Sequence, residues 1–239
     1  LLRGSPEEQR ETRDRADLRI GALGSGSDYT PFFQHLGITS CTIGYGGEND
    51  GGSYHSIYDS YSHYIRFGDP TFAYGITQAK TTGRLVLRLA NADILPFEFT
   101  NSAETIGNYA REVSKLLDDL RAETDEQNTR INNRTLELIA DPTLPFVAPK
   151  PKGPVPYLNF APLQNAVALL QQSARAYDAA VQTLPAAVEA QRAVDQVLLG
   201  TERQLTRKEG LPRRPWFVHQ IYAPGLYTGY GVKTLPGIR

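Results

Sequence analysis

The rhythm of apolar and polar positions changes several times along this chain, and each change marks an element. Residues 1–16 are polar without apolar periodicity and read as a linker. Leu18, Ile20, Ala22 and Leu23 then form a short apolar run, read as a strand, that ends in Gly24-Ser25-Gly26-Ser27-Asp28. Tyr29 to Leu36 has room for two helical turns, closed by Gly37. Ile38 to Tyr45 alternates and is β-branched, which predicts a strand. Gly46 to Ser53 is a glycine-rich loop leading into Tyr54-His55-Ser56-Ile57-Tyr58-Asp59. After Asp69-Pro70, residues 71–92 read as one helix, with Phe72, Ile76, Ala79, Leu85, Leu87 and Leu89 apolar. Short strands alternating with helices suit one edge of an α/β sheet.

Beyond Leu95-Pro96 the pattern is helical. Asn101, with Glu104 three residues on, resembles a capping box. Ile106, Tyr109, Ala110, Val113, Leu116, Leu117 and Leu120 follow at i+3 and i+4 spacing, an amphipathic helix expected over 102–122. The proline-rich connection from Asp141 to Pro156 breaks the helix and must run extended. Two further helices, Ala161 to Gln182 and Pro185 to about Leu205, read as an antiparallel pair, Pro185 suiting a first helical position. On the first of these, Leu163, Val167, Leu170, Ala174, Tyr177 and Val181 form one stripe. Alanines at 166, 168, 174, 176, 179 and 180 leave room for close approach on a second face. Leu211 to Arg239 is rich in Gly, Pro and Tyr and is expected to be irregular, held by packing rather than by its own ladder.

Composition narrows the function. A net charge of -1 supplies no basic field and gives general nucleic-acid binding little support. The single cysteine, Cys41, excludes an internal disulfide. No apolar stretch approaches the roughly 18 residues needed to span a bilayer. The chain begins at Leu1 and contains no Met, so the natural start is expected to lie elsewhere.

Two short motifs carry candidate chemistry. Gly24-Ser25-Gly26-Ser27-Asp28 either cradles a phosphate with backbone N–H groups or is a tight turn that needs glycine angles. It lacks the lysine of a phosphate-binding loop and the spacing of a dinucleotide fingerprint. Tyr54-His55-Ser56 places a histidine in aromatic company on a loop, where a neutral ring nitrogen can be presented to a metal. A lone histidine is equally a plain surface residue. Asp59 either orients that imidazole from behind or caps the next helix. His35, His63 and His219 have no metal-ligand spacing and read as structural or exposed.

Taken in order, several segments resemble the glutamate carboxypeptidase / prostate-specific membrane antigen family. They are Gly24-Ser25-Gly26-Ser27-Asp28, Phe32-Phe33-Gln34-His35-Leu36-Gly37-Ile38, Tyr54-His55-Ser56-Ile57-Tyr58-Asp59 and Gly68-Asp69-Pro70. Leu211-Pro212-Arg213-Arg214-Pro215, Ile221-Tyr222-Ala223-Pro224 and Leu235-Pro236-Gly237-Ile238 continue it. The resemblance covers nearly everything from Asp17 to the end, although the middle helices match mainly in pattern.

The resemblance implies an α/β fold class. Residues 17–95 would form the C-terminal edge of a dizinc exopeptidase α/β domain. Residues 96–239 would form an all-helical, transferrin-receptor-like dimerisation domain, incomplete at its C-terminus. It implies two zinc ions in the complete enzyme, with His55 as the one ligand from this chain, and Tyr54 as a hydrogen-bond donor to the oxyanion. Ser25, Gly26 and Ser27 would line the substrate cleft, and Tyr230 would hold the substrate's C-terminal carboxylate. The remaining ligands and the general base would belong to sequence upstream of Leu1, so this chain alone is expected to be inactive. The implied partners are a peptide substrate, a second copy through the helical domain, and the missing N-terminal portion of the same protein. The family's usual topology implies a membrane anchor outside this chain and a luminal or extracellular location, which suits the glycosylation triplet Asn133-Arg134-Thr135.

Departures from the pattern bear on specificity. Thr42 and Gly44 stand where acid-selective members carry arginines, Ser27 replaces an asparagine, and Gly229 replaces a lysine beside Tyr230, with Lys233 nearby. A carboxylate side chain would lose its bidentate partners, so a neutral or broader preference is expected. The rival reading is a non-catalytic, transferrin-receptor-like binding or sorting protein. The receptor branch lacks a ligand at the place of His55, so the histidine favours a peptidase.

Overall fold

Two stretches far apart in sequence, Leu1–Cys41 and Glu202–Gly237, come together as one unit, and Thr42–Thr201 forms another. The computed structural model describes residues 10, 13, 20–45, 53–184, 187–227 and 229–238.

The first unit has little regular structure. Pro31–His35 makes one helical turn, with proline at the start, where its fixed φ fits and its missing N–H costs nothing. Leu36 closes the turn by donating its N–H to Pro31 O at 3.1 Å. Tyr222–Pro224 (β1) and Val232–Thr234 (β2) pair antiparallel, with Ala223 opposite Lys233. The stretch from Leu211 onward was expected to lack a ladder of its own. It has this short one, because Tyr222 and Thr234 meet across the intervening loop.

Phe33, Leu211, Ile221, Ala223 and Leu235 are buried, and His219 sits among them with no exposed surface. The Phe33 ring centroid lies 4.6 Å from that of His219 and 5.7 Å from that of Tyr222. His219 Nδ1 accepts the N–H groups of Ile221 and Tyr222, each at 3.2 Å. An acceptor nitrogen carries no proton, so the ring proton is on Nε2, which donates to Glu202 Oε1 at 2.8 Å. The other carboxylate oxygen accepts Thr39 Oγ1–H at 3.2 Å. One buried imidazole therefore organises the β1 approach and, through Glu202, holds the Thr39 segment.

The described parts of the expected strands at 18–23 and 38–45 are not strands. Residues 20–24 and 38–45 belong to no strand, and residues 18 and 19 lie outside the described residues. A β-branched run makes a strand only when another backbone lies alongside to complete the ladder. Ile43 O instead accepts the Gln78 side-chain amide at 3.2 Å, and Tyr45 O–H shares a 2.9 Å hydrogen bond with Thr81.

The second unit is helical. Ala73–Ala90 (α1) starts where Asp69, only 2% exposed, accepts the Gly75 N–H at 2.9 Å and the Tyr64 hydroxyl at 3.1 Å. Burial pushes the Asp69 carboxyl up, but these bonds, with others from the Tyr74 and Ala73 backbones, outweigh it and hold it below its usual range. Thr100–Asn132 (α2) runs on past the expected end at Ala122. Beyond the apolar stripe a solvated helix is supported by ion pairs at i,i+3 and i,i+4 spacing, of which Arg130–Glu126 is one in the added stretch. Lys115–Asp119 and Arg121–Asp118 are such pairs earlier in the helix.

The start of α2 is also capped differently from the expected box. Asp178 accepts the Phe99 N–H at 3.0 Å and the Thr100 N–H at 2.9 Å, a carboxylate placed at a helix N-terminus from another helix. Asp178 belongs to Ala161–Val181 (α3). Packing between α2 and α3 buries Ala103, Ile106, Ala110, Val113 and Ala174, and the alanines among them let the two axes approach. Val188–Leu198 (α4) follows. Among the described residues α3 has α2, rather than α4, as its extensive packing partner, because the ordered 94–100 segment brings α2 to Asp178 and Tyr177. Pro185 lies outside the described residues. The connection from Asp141 to Pro156 is free of helix and strand, as its prolines require, and Asn128 brackets its Lys152 by donating to the carbonyl and accepting the N–H. No helix among the described residues is long and apolar enough to cross a membrane.

Candidate functional site

The candidate residues fall into two groups, one in each unit. In the first unit, the turn at 24–28 and Tyr230 are brought together across almost the whole chain. Ser25 N–H donates to Tyr230 O at 3.3 Å. A Cβ on Gly24 would stand 2.2 Å from that same oxygen, so only a glycine lets the two backbones approach. Gly26 has φ +109°, a conformation that side chains avoid, and a Cβ there would meet the Tyr230 ring at 2.6 Å. The Tyr230 ring therefore lies flat against the turn, with 60% of the residue exposed. Ser27 finishes the turn. Its carbonyl accepts both the N–H of Thr30 at 3.0 Å and its hydroxyl at 2.8 Å.

Of the two readings open for the 24–28 motif, this geometry is that of a tight turn with glycine-only angles, and its exposed side faces solvent beside a tyrosine. Gly229 precedes Tyr230 with φ +62°, and Lys233 on β2 is exposed.

In the second unit, Tyr54, His55 and Asp59 share a looped turn. Ser56 and Asp59 donate their N–H groups to Ser53 O and Ser56 O, each at 3.0 Å. His55 has φ +56°, in the left-handed region where a branched side chain would be an outlier but histidine is tolerated. Asp59 Oδ2 accepts the backbone N–H of His55 at 3.1 Å, fixing this strained residue. The carboxylate thus neither bonds the imidazole nor caps the following helical turn, which Ser60 caps by accepting from His63 N–H at 3.3 Å. The imidazole stacks on Tyr54, with centroids 3.8 Å apart and planes 19° from parallel, and both residues are exposed.

Whether zinc suits these residues can be judged from the donors. Among the described residues no three of His, Cys, Asp and Glu gather to hold a metal. His55 fits as one terminal ligand: its ring is exposed, held in place by stacking and a fixed backbone, and neither nitrogen is taken by a hydrogen bond among the described residues.

Thr42 and Gly44 are exposed, and a Cβ on Gly44 would meet nothing within 4 Å. Asn133 caps the C-terminus of α2 on an exposed turn, ahead of Arg134 at φ +58°. Sequence reasoning missed Gln34, Glu202 and the depth of His219. Gln34 works through backbone carbonyls ten and eleven residues away, and Glu202 through the side chains of Thr39 and His219, and no periodicity signals either.

Comparison with known proteins agrees with the motifs. Residues 158–239 match the transferrin receptor-like dimerisation domain. The chain is 29% identical over 220 residues to a probable glutamate carboxypeptidase, LAMP1, of Arabidopsis thaliana, and 33% over 223 residues to a probable glutamate carboxypeptidase of Arthroderma benhamiae. It is 25% identical over 229 residues to the aminopeptidase NAALADL1 of Mus musculus. Each alignment covers 92% of this chain and 26% of the relative, so the chain spans about a quarter of the length of the curated relatives it matches.

Proposed function

We propose that this chain, a relative of the glutamate carboxypeptidases with a transferrin receptor-like dimerisation domain at residues 158–239, supplies part of the substrate cleft and one metal ligand to a zinc-dependent exopeptidase. The observation that carries the reading is the seating of Tyr230 on the Ser25-Gly26 turn. Two motifs nearly the whole chain apart meet at one exposed place, where a phenol and backbone polar groups can bind the end of a peptide.

Zinc, when bound, supplies Lewis acidity that polarises a carbonyl. His55 would hold the metal through a ring nitrogen, with its backbone fixed by Asp59. Tyr54 donates its hydroxyl proton in a hydrogen bond to the oxyanion that develops on the scissile carbonyl, a contribution of about 3 kcal/mol in comparable sites. Ser25, Gly26 and Ser27 lie along the substrate backbone, and the Tyr230 hydroxyl donates to its terminal carboxylate. Thr42 and Gly44 supply no guanidinium fork for an acidic side chain, so neutral terminal residues are taken as well.

The test is His55→Ala in the full-length protein, assayed on a peptide panel with glutamate or leucine at the final position. Turnover is expected to vanish and zinc content to fall, while the unaltered protein cleaves both peptides. Full zinc and normal turnover in the variant would sink the ligand role, and strict selection of glutamate would sink the specificity.

The helical region is proposed to hold a second copy of the chain. Leu169 on α3 and Val197 on α4 are 64% and 69% exposed, and Ala166, Ala168, Ala176, Ala179 and Ala180 are exposed on α3. A symmetric pair covers such a face with itself. Sedimentation of the full-length protein at micromolar concentration should give a dimer; a monomer there refutes the pairing.

A further inference from the structure

Gln34 lies in the helical turn Pro31–His35 and has no exposed surface. Burying a primary amide is costly unless its polar atoms are used. The donor end is used: Nε2 donates to Leu23 O at 3.2 Å and to Gly24 O at 2.9 Å. The acceptor end is not, since Oε1 is buried with no partner among the described residues. The amide therefore holds its place for its donors alone. The same residue is fixed from behind, because Val218 donates its N–H to the Gln34 carbonyl at 3.0 Å.

The consequence falls on the turn. Leu23 and Gly24 are the last residues before Ser25-Gly26, and both their carbonyls are tied to Gln34. Gly24 already stands against Tyr230 O, and Ser25 N–H donates to that oxygen at 3.3 Å. We infer that Gln34 is a positioning residue: its side-chain amide sets the distance between the Ser25-Gly26 turn and Tyr230, and so the fit of a peptide's terminal residue between them. The inference rests on the peptidase reading for the identity of the ligand, but the clamp itself does not. Leucine fills the same space and donates nothing. Asparagine keeps the amide but falls one methylene short of the two carbonyls.

Gln34→Leu and Gln34→Asn in the full-length protein test it through two readouts. Amide hydrogen exchange at Ser25 should speed up about tenfold in either variant, the factor for roughly one hydrogen bond, while exchange in α2 and α3 stays as it was. In peptide hydrolysis KM should rise about tenfold with kcat within about threefold, since the groups doing chemistry are untouched. Unchanged Ser25 exchange in a folded variant overturns the clamp, whatever the activity. A loss of kcat at constant KM overturns the positioning role. If the unaltered protein cleaves no peptide, the peptidase reading fails, and Ser25 exchange still decides the clamp. Should Gln34→Leu not fold, the asparagine variant carries both measurements.

Discussion

The unit around His219 and the helix α1 invert the usual relation between regular structure and core. The first has a five-residue helical turn and two three-residue strands, yet it buries Phe33, Leu211, Ile221, Ala223, Leu235, Gln34 and His219. Helix α1 has 18 residues of regular backbone and buries none of them, leaving Val86 and Leu87 more than half exposed. Local propensity is enough to form a helix, but a core requires surface brought from elsewhere in the chain. The His219 unit draws on two stretches separated by the whole of Thr42–Thr201, a closure whose entropy cost grows only slowly with loop length. Some of its polar groups are then bonded across that gap, as Thr39 is to Glu202 and Val218 to Gln34. Among the described residues, nothing covers α1 in the same way.

The contrast breaks most visibly at His219. His219→Ala takes the acceptor from two backbone N–H groups and the donor from Glu202, and leaves a cavity beside Phe33. The expected cost is about 3 kcal/mol, read from the urea midpoint of the His219 unit. A cost below about 1 kcal/mol would show that the imidazole fills space and organises nothing.

A paired substitution sharpens the other side. Val113→Ala in the packed face of α2 should cost about 2 kcal/mol, as removal of two buried methyl groups does. Leu87→Ser on α1 should stay within about 0.5 kcal/mol in this chain, because its side chain is already solvated. Both come from the same melting series. Equal costs would erase the distinction between a covered and an uncovered helix. Repeating Leu87→Ser in the full-length protein locates the missing cover: a cost above about 1 kcal/mol there places it outside this chain.

For the candidate site, what could be read in advance was chemistry rather than geometry. The glycines at 24 and 26 announced a tight turn, and the turn is there. Tyr54-His55-Ser56 placed a histidine in aromatic company on a loop, and the structure stacks the two rings. The role of Asp59 was not legible, because whether a carboxylate meets a ring nitrogen or a backbone N–H depends on the left-handed φ of His55. Gln34 was invisible for a similar reason. A glutamine in a helical turn usually faces water, and this one is buried in a unit where Val218, from far along the chain, bonds its carbonyl.

The sequence by itself determined the apolar faces of α2 and α3, since the 3.6-residue spacing of Ile106, Ala110, Val113 and Leu117, and of Val167, Ala174 and Val181, is a property of the local chain. It also determined where turns fall, since glycine and proline restrict or release φ one residue at a time. Only the tertiary structure decided that Ile38 to Tyr45 would form no strand, that Asp178 rather than Asn101 would cap α2, and that Tyr230 would lie on Gly26. Each of those outcomes depends on a second backbone or side chain arriving from a distance, and the energy of a ladder, a cap or a ring contact exists only once that partner is in place.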